Sequence, residues 1–129
     1  MTAPEWILRE TVIALHGQLL AEFGGTGGVR DEGLLDSALN RPENLFVYAQ
    51  PTLSELAAAY AFGLIKNHPF LDGNKRIGFA IGALFLQLNG RILMASEADA
   101  VVQTLGLAAG EVSEEEYALW LEANSRKRD

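Results

Sequence analysis

Residues 77–88, IGFAIGALFLQL, form the longest apolar run of the chain, interrupted by glycine and one glutamine only. As a helix the run has apolar groups nearly all round, at Ile77, Ala80, Ile81, Leu84, Phe85 and Leu88, so it has no face to offer to water. Its twelve residues are too few to cross a bilayer, which takes roughly 20. Such a segment has to be wrapped by other elements of the same domain. The expectation is a buried central helix beginning near Gly73 or Asn74 and running to Asn89, where Gly90 supplies the left-handed residue that closes a helix.

The wrapping elements also read as helices, and no strand is evident. Four Ser/Thr-x-x-Asp/Glu signatures, Thr2 with Glu5, Thr52 with Glu55, Ser96 with Asp99 and Ser113 with Glu116, each predict a helix start. After the first, Leu8, Val12, Leu15, Leu19 and Phe23 recur on one helical face until Gly24-Gly25. Asp31 predicts a short helix to about Leu39, because Pro42 disfavours helical geometry at the residue before it. From Thr52 the stripe Leu53, Leu56, Ala57, Tyr60, Leu64 runs until Pro69 pushes His68 out of the helical region. Residues 97–108 and 114–124 complete about six helices, an all-α single-domain bundle over 1–129. The segment 41–51, RPENLFVYAQP, carries no helical pattern and reads as a connector, short strand or flap.

Composition narrows the function. A formal charge of −7 works against phosphate-backbone binding, so a nucleic-acid partner is disfavoured and a basic partner favoured. The basic run Ser125-Arg126-Lys127-Arg128 reads as a frayed, solvated end. There is no cysteine, which removes disulfides and thiolate metal sites. The opening MTAPEWILRE lacks a basic segment followed by a clean apolar run, so the expectation is a cytoplasmic protein with no membrane contact.

Between two of these helices lies HPFLDGNKR, residues 68–76. The unpaired amides opening the second helix, around Gly73, Asn74, Lys75 and Arg76, make an anion site. Gly73 permits close backbone approach, Asn74 offers a side-chain amide, and Lys75 and Arg76 add full charge that suits a polyphosphate. Cations in a first turn oppose the helix dipole, a penalty of a few tenths of a kcal/mol that a bound anion offsets. Asp72 would repel phosphate directly but suits a magnesium ion shared with phosphate oxygens. His68 can take the proton of a hydroxyl attacking that phosphate. The other histidine, His16, flanks an apolar stripe and reads as a hydrogen-bonded group at the edge of the core, outside the site. Spacing alone does not place Arg30 or Asp31. No Gly-x-x-x-x-Gly-Lys-Ser/Thr is present, which disfavours a P-loop kinase.

HPFLDGNKR resembles the Fic motif, His-Pro-Phe-x-Asp/Glu-Gly-Asn-Gly/Lys-Arg, and with Lys75 it is similar to the Doc (death-on-curing) branch, the toxin half of a bacterial toxin–antitoxin pair. The flanking GVRDEGLLDSALNRPENLF, residues 28–46, also looks Doc-like, and the likeness spans most of 5–125. The resemblance implies that His68 is the general base, that Asp72 holds magnesium, that Gly73, Asn74, Lys75 and Arg76 hold nucleotide phosphates, and that Phe70 anchors the loop in the core.

Departures from the nucleotidyl-transferring pattern carry further implications. Those enzymes have glycine at the place of Lys75 and arginine at the place of Phe79. In the Doc branch the lysine goes with a reversed nucleotide, which implies transfer of the γ-phosphoryl of ATP to a hydroxyl of a translation factor, elongation factor Tu, and arrest of protein synthesis. The family's inhibitory Ser/Thr-x-x-x-Glu-Gly/Asn segment is absent. Inhibition is then expected from a cognate antitoxin whose C-terminal segment binds as a helix. Two alternatives stay open: AMP transfer from the same site, and a catalytically inert module that binds an antitoxin and represses transcription with it.

Overall fold

The computed structural model describes residues 2–128. Among these residues lie six helices: α1 Arg9–Phe23, α2 Glu32–Tyr48, α3 Leu53–Asn67, α4 Asn74–Leu88, α5 Glu97–Ala109 and α6 Glu114–Ala123. A small antiparallel sheet pairs β1 Arg91–Leu93 with β2 Ser125–Lys127. No helix among the described residues is long and apolar enough to cross a membrane.

The apolar run lies in α4, which buries Ile77, Ile81, Phe85 and Leu86. Its partner α3 is enclosed further still, with Leu56 to Ala61 all buried together with Gly63, Leu64 and Ile65. Small residues let these two helices approach closely. A Cβ built on Gly78 would lie 2.8 Å from Ile65 Cγ1 and 3.1 Å from the Ala61 carbonyl oxygen. Gly78→Val is therefore expected to lower unfolding stability by about 1–3 kcal/mol through overpacking. By contrast Gly17→Ala on α1, where a Cβ meets nothing within 4 Å, should gain about 0.5–1 kcal/mol from helix propensity. Urea unfolding midpoints check both, and midpoints shifting the same way would contradict the close crossing.

Where capping chemistry is complete, the sequence expectations hold. Thr52 with Glu55 and Ser113 with Glu116 form reciprocal capping boxes, Ser96 accepts from the Asp99 amide, and Gly90 takes a positive φ of 88° after α4.

Three expectations are corrected. The first helix starts at Arg9 behind Leu8, with no side-chain cap, and residues 2–8 are non-helical. Glu5 instead exchanges main-chain bonds with the Asn89 side chain (2.7 and 3.1 Å), and the Ile7 amide donates to the Tyr60 hydroxyl at 3.1 Å. Burial raises the Tyr60 pKa, so that hydroxyl stays protonated. Trp6 packs between Phe46 and Phe85. These tertiary bonds outcompete the Thr2–Glu5 cap.

The second correction is α2, which continues through Pro42 to Tyr48, so 41–51 is neither flap nor strand. Arg41, the residue that proline disfavours in a helix, is pinned by a two-pronged bond to Glu114 (3.1 and 2.9 Å), by the Ala59 carbonyl and by the face of Phe62. Buried Leu35, Ala38, Leu39 and Pro42 hold the same face to the core. Packing here overrides local propensity.

The third concerns the basic end, which is a strand. Arg91 pairs with Lys127 and Leu93 with Ser125. The Arg128 amide donates to the Gly90 carbonyl at 2.7 Å, so these residues are not frayed.

Candidate active site

The loop from α3 to α4 begins with a strained residue. His68 closes α3 at φ 51°, ψ 53°, the left-handed region that glycine usually fills, and it is the one non-glycine residue with positive φ among those described. A side-chain-bearing residue held there costs about 1–3 kcal/mol. Pro69 disfavours the right-handed alternative, but it favours extended backbone, so something else selects this conformation. Arg30 donates from Nε to the His68 carbonyl (2.7 Å) and from Nη2 to the Asn67 carbonyl (3.0 Å).

The rest of the loop is braced strand-like by the segment before α2. The Pro69 carbonyl accepts from the amides of Arg30 (2.7 Å) and Asp31 (3.1 Å), the Leu71 amide donates to Gly28 (3.1 Å), and Val29 bridges Phe70 antiparallel. Phe70 is buried and stacks on the His16 ring at 3.8 Å, which anchors the loop in the core as expected. The His68 imidazole itself is exposed and has no hydrogen-bond partner among the described residues.

Helix α4 opens behind Gly73, whose φ of 78° is left-handed, and no side chain caps it. Among the described residues no acceptor meets the amides of Asn74, Lys75 and Arg76. Lys75 and Arg76 are both exposed, and neither is paired with a carboxylate. The Arg76 guanidinium lies 4.6 Å over the Phe23 ring at the end of α1, which holds it without neutralising it. Open amides and unneutralised cations make this helix start electropositive, a chemistry that suits an anion.

Asp72 stands at the edge of that site. Its carboxylate is exposed, with Oδ1 accepting from the Gly73 amide at 2.8 Å and Oδ2 from the Thr26 amide at 3.3 Å. The glycine-rich turn 24–28 is what allows this contact, since a Cβ on Gly25 would sit 2.7 Å from Asp72 Oδ2. The Asp72 carbonyl takes a hydrogen bond from His16 Nε2 at 2.7 Å. His16 is thus a hydrogen-bonded core histidine, and the group it bonds is the site loop.

The structure therefore brings His68, Asp72, Gly73, Lys75 and Arg76 into one short, braced loop and helix start. Asn74 is there too, but in a different capacity. Its side chain is buried and closes on one residue, with Oδ1 accepting from the Phe70 amide and Nδ2 donating to the Phe70 carbonyl, both at 3.0 Å. The side-chain amide expected to face a phosphate instead shapes the loop, leaving the Asn74 backbone N–H for an anion. Sequence reasoning did not place Arg30 or Thr26, whose contacts join segments 38 and 46 residues apart. The signal available was a Gly-rich turn leading directly into the Asp31 N-cap, which puts Arg30 on a tight exit.

Comparison with known proteins places the chain in a family. The sequence profile of the Fic/DOC family matches residues 6–86, a span that holds α1 to α3, the loop and nearly all of α4. A protein of Mycolicibacterium smegmatis named Toxin Doc is 42% identical over 93 residues, covering 70% of this chain and 69% of that protein. Protein kinase doc of Escherichia phage P1 is 32% identical over 105 residues, covering 81% and 82%. With the profile spanning most of the chain and both relatives aligned over more than two thirds of their length, the chain belongs to the Fic/DOC family.

Proposed function

We propose that the protein is a Doc-type toxin kinase that moves the γ-phosphoryl group of ATP to a hydroxyl of a translation factor, elongation factor Tu, and so arrests protein synthesis in the cytoplasm. The observation that carries this is the pairing of an unpartnered imidazole, His68, with an uncapped helix start bearing Lys75 and Arg76. The name of the phage relative, a protein kinase, supports phosphate rather than nucleotide as the transferred group.

In this reading the helix-start amides and the two cations receive the triphosphate and offset the negative charge of the transition state. Positioning and electrostatics supply most of the acceleration, as is general for phosphoryl transfer. His68 accepts the proton of the target hydroxyl as its oxygen bonds to the γ-phosphorus. The bond from that phosphorus to the β–γ bridging oxygen breaks, ADP leaves, and the target keeps a phosphomonoester.

The donor set also fits magnesium. No group of three or more His, Asp or Glu side chains gathers among the described residues to cage a metal. One exposed carboxylate, Asp72, suits an ion completed by phosphate oxygens and water. When bound, that ion would neutralise phosphate charge. Asp72 would be its protein ligand, kept in place by the amides of Gly73 and Thr26. A cognate antitoxin, binding through a helical C-terminal segment, would restrain the enzyme. The net charge of −7 suits a basic partner of that kind.

The test is incubation of the protein with purified elongation factor Tu, magnesium and ATP labelled at either the α- or the γ-phosphate. The expected result is γ-label on the factor and a mass gain of one phosphate. Incorporation of α-label would show nucleotidyl transfer instead. Absence of both labels, with no ATP binding at millimolar nucleotide, would leave the antitoxin-binding module.

A further inference from the structure

We propose that Arg30 is a positioning residue for phosphoryl transfer, its guanidinium holding His68 in the left-handed backbone conformation that presents the imidazole to the anion site. This rests on the reading of His68 as the base. The geometry is specific. A single guanidinium forks onto two successive carbonyls, those of Asn67 at 3.0 Å and His68 at 2.7 Å, at the end of α3. Planar, rigid donors of this kind fix two acceptors at once, which a lysine ammonium does not do.

The conformation needs such a restraint. Left-handed backbone is unfavourable for histidine, and the following proline draws its predecessor toward extended geometry. Without the fork, the peptide joining His68 to Pro69 is free to rotate toward that extended state and to swing the ring with it. Arg30 is itself well fixed: its amide donates to the Pro69 carbonyl, its neighbour Val29 bridges Phe70, and Asp31 begins α2 as its N-cap. The chain thus reaches from the start of α2 to set the backbone of a residue 38 positions away. The phosphate cradle is braced separately, by Asn74 on Phe70 and by His16 on Asp72. Loss of the fork should accordingly disturb the base and spare nucleotide binding.

Arg30→Ala and Arg30→Lys are to be compared with the wild-type chain by steady-state kinetics and by NMR of the His68 backbone. The expected result for Arg30→Ala is a kcat lower by about 100-fold, the scale of a small misplacement of a reacting group, with KM for ATP changed by less than about two-fold. Arg30→Lys keeps the charge and should remain well below wild type. Added methylguanidinium should raise kcat of Arg30→Ala at least about ten-fold by refilling the fork, whereas a variant that had merely lost stability would gain nothing from it. NMR should show His68 leaving the left-handed region in both variants. Should Arg30→Ala fail to fold, Arg30→Lys is read by the same criteria. Wild-type kcat in the variants, or His68 retaining its left-handed backbone in them, overturns the proposal. If the wild-type protein transfers no phosphate, the kinase reading falls, and the NMR comparison still decides whether Arg30 sets the His68 backbone.

Discussion

His68→Ala is expected to fold like the wild-type protein and to transfer phosphate roughly 10²–10⁴-fold more slowly, the usual contribution of a positioned general base. Both halves of this expectation follow from the geometry. The imidazole is exposed and bonds to nothing among the described residues, so its removal opens no cavity and strands no buried polar group. Alanine carries much the same left-handed strain as histidine at φ 51°. The bonds that fix the backbone here, from Arg30 to the carbonyls of Asn67 and His68, do not involve the ring. Urea unfolding midpoints should therefore agree within error, and ATP should bind as before, since the open amides, Lys75 and Arg76 are untouched. The kinetic test is single-turnover transfer from γ-labelled ATP to elongation factor Tu. A variant as fast as wild type would remove His68 from the chemistry and leave the helix start as an anion site without a base.

How much of this was legible beforehand depends on the range of the interactions involved. Helices α3, α5 and α6 begin within a residue of their expected starts because their capping pairs lie three residues apart, at Thr52–Glu55, Ser96–Asp99 and Ser113–Glu116. The same local signature at Thr2 was misleading, because Glu5 finds a partner in Asn89, 84 residues away, and Trp6 has a place between Phe46 and Phe85. Pro42 misled in the same manner: the local penalty is real, but Arg41 is locked to Glu114, 73 residues on. Three-residue strands such as Ser125–Lys127 are shorter than any period can reveal, and this one exists because β1 provides its partner.

The site follows the same division. HPFLDGNKR is contiguous, so its chemical groups and the helix start that displays them could be read directly from the sequence. What holds them could not. His16 reaches Asp72 across 56 residues, Thr26 reaches it across 46, and Arg30 reaches His68 across 38. The motif therefore lists the chemical groups on display, whereas their long-range supporting bonds come from α1 and the turn after it. Within the motif Asn74 and Asp72 brace only their near neighbours, Phe70 and Gly73, so the left-handed His68 backbone has to be held from outside by Arg30.

Asn74→Ala is where sequence and structure expectations part most sharply, and the variant should lose stability first and activity as a consequence. Were the amide a phosphate donor, its deletion would weaken ATP binding and leave unfolding unchanged. In the structure it is 3% exposed and satisfies both the N–H and the C=O of Phe70, at 3.0 Å each. Alanine would leave two buried backbone groups without partners, at about 1–3 kcal/mol apiece, so a total loss of about 2–6 kcal/mol is expected. Against a typical margin of about 5–15 kcal/mol, that is a large share. Phe70 is also the residue that stacks on His16 and bridges Val29, so freeing its peptide loosens both braces of the loop together. Hydrogen exchange should quicken at the Phe70 and Leu71 amides more than in the α3 core, and the urea midpoint should fall clearly. A midpoint equal to wild type, accompanied only by a raised KM for ATP, would place the Asn74 amide on the phosphates after all.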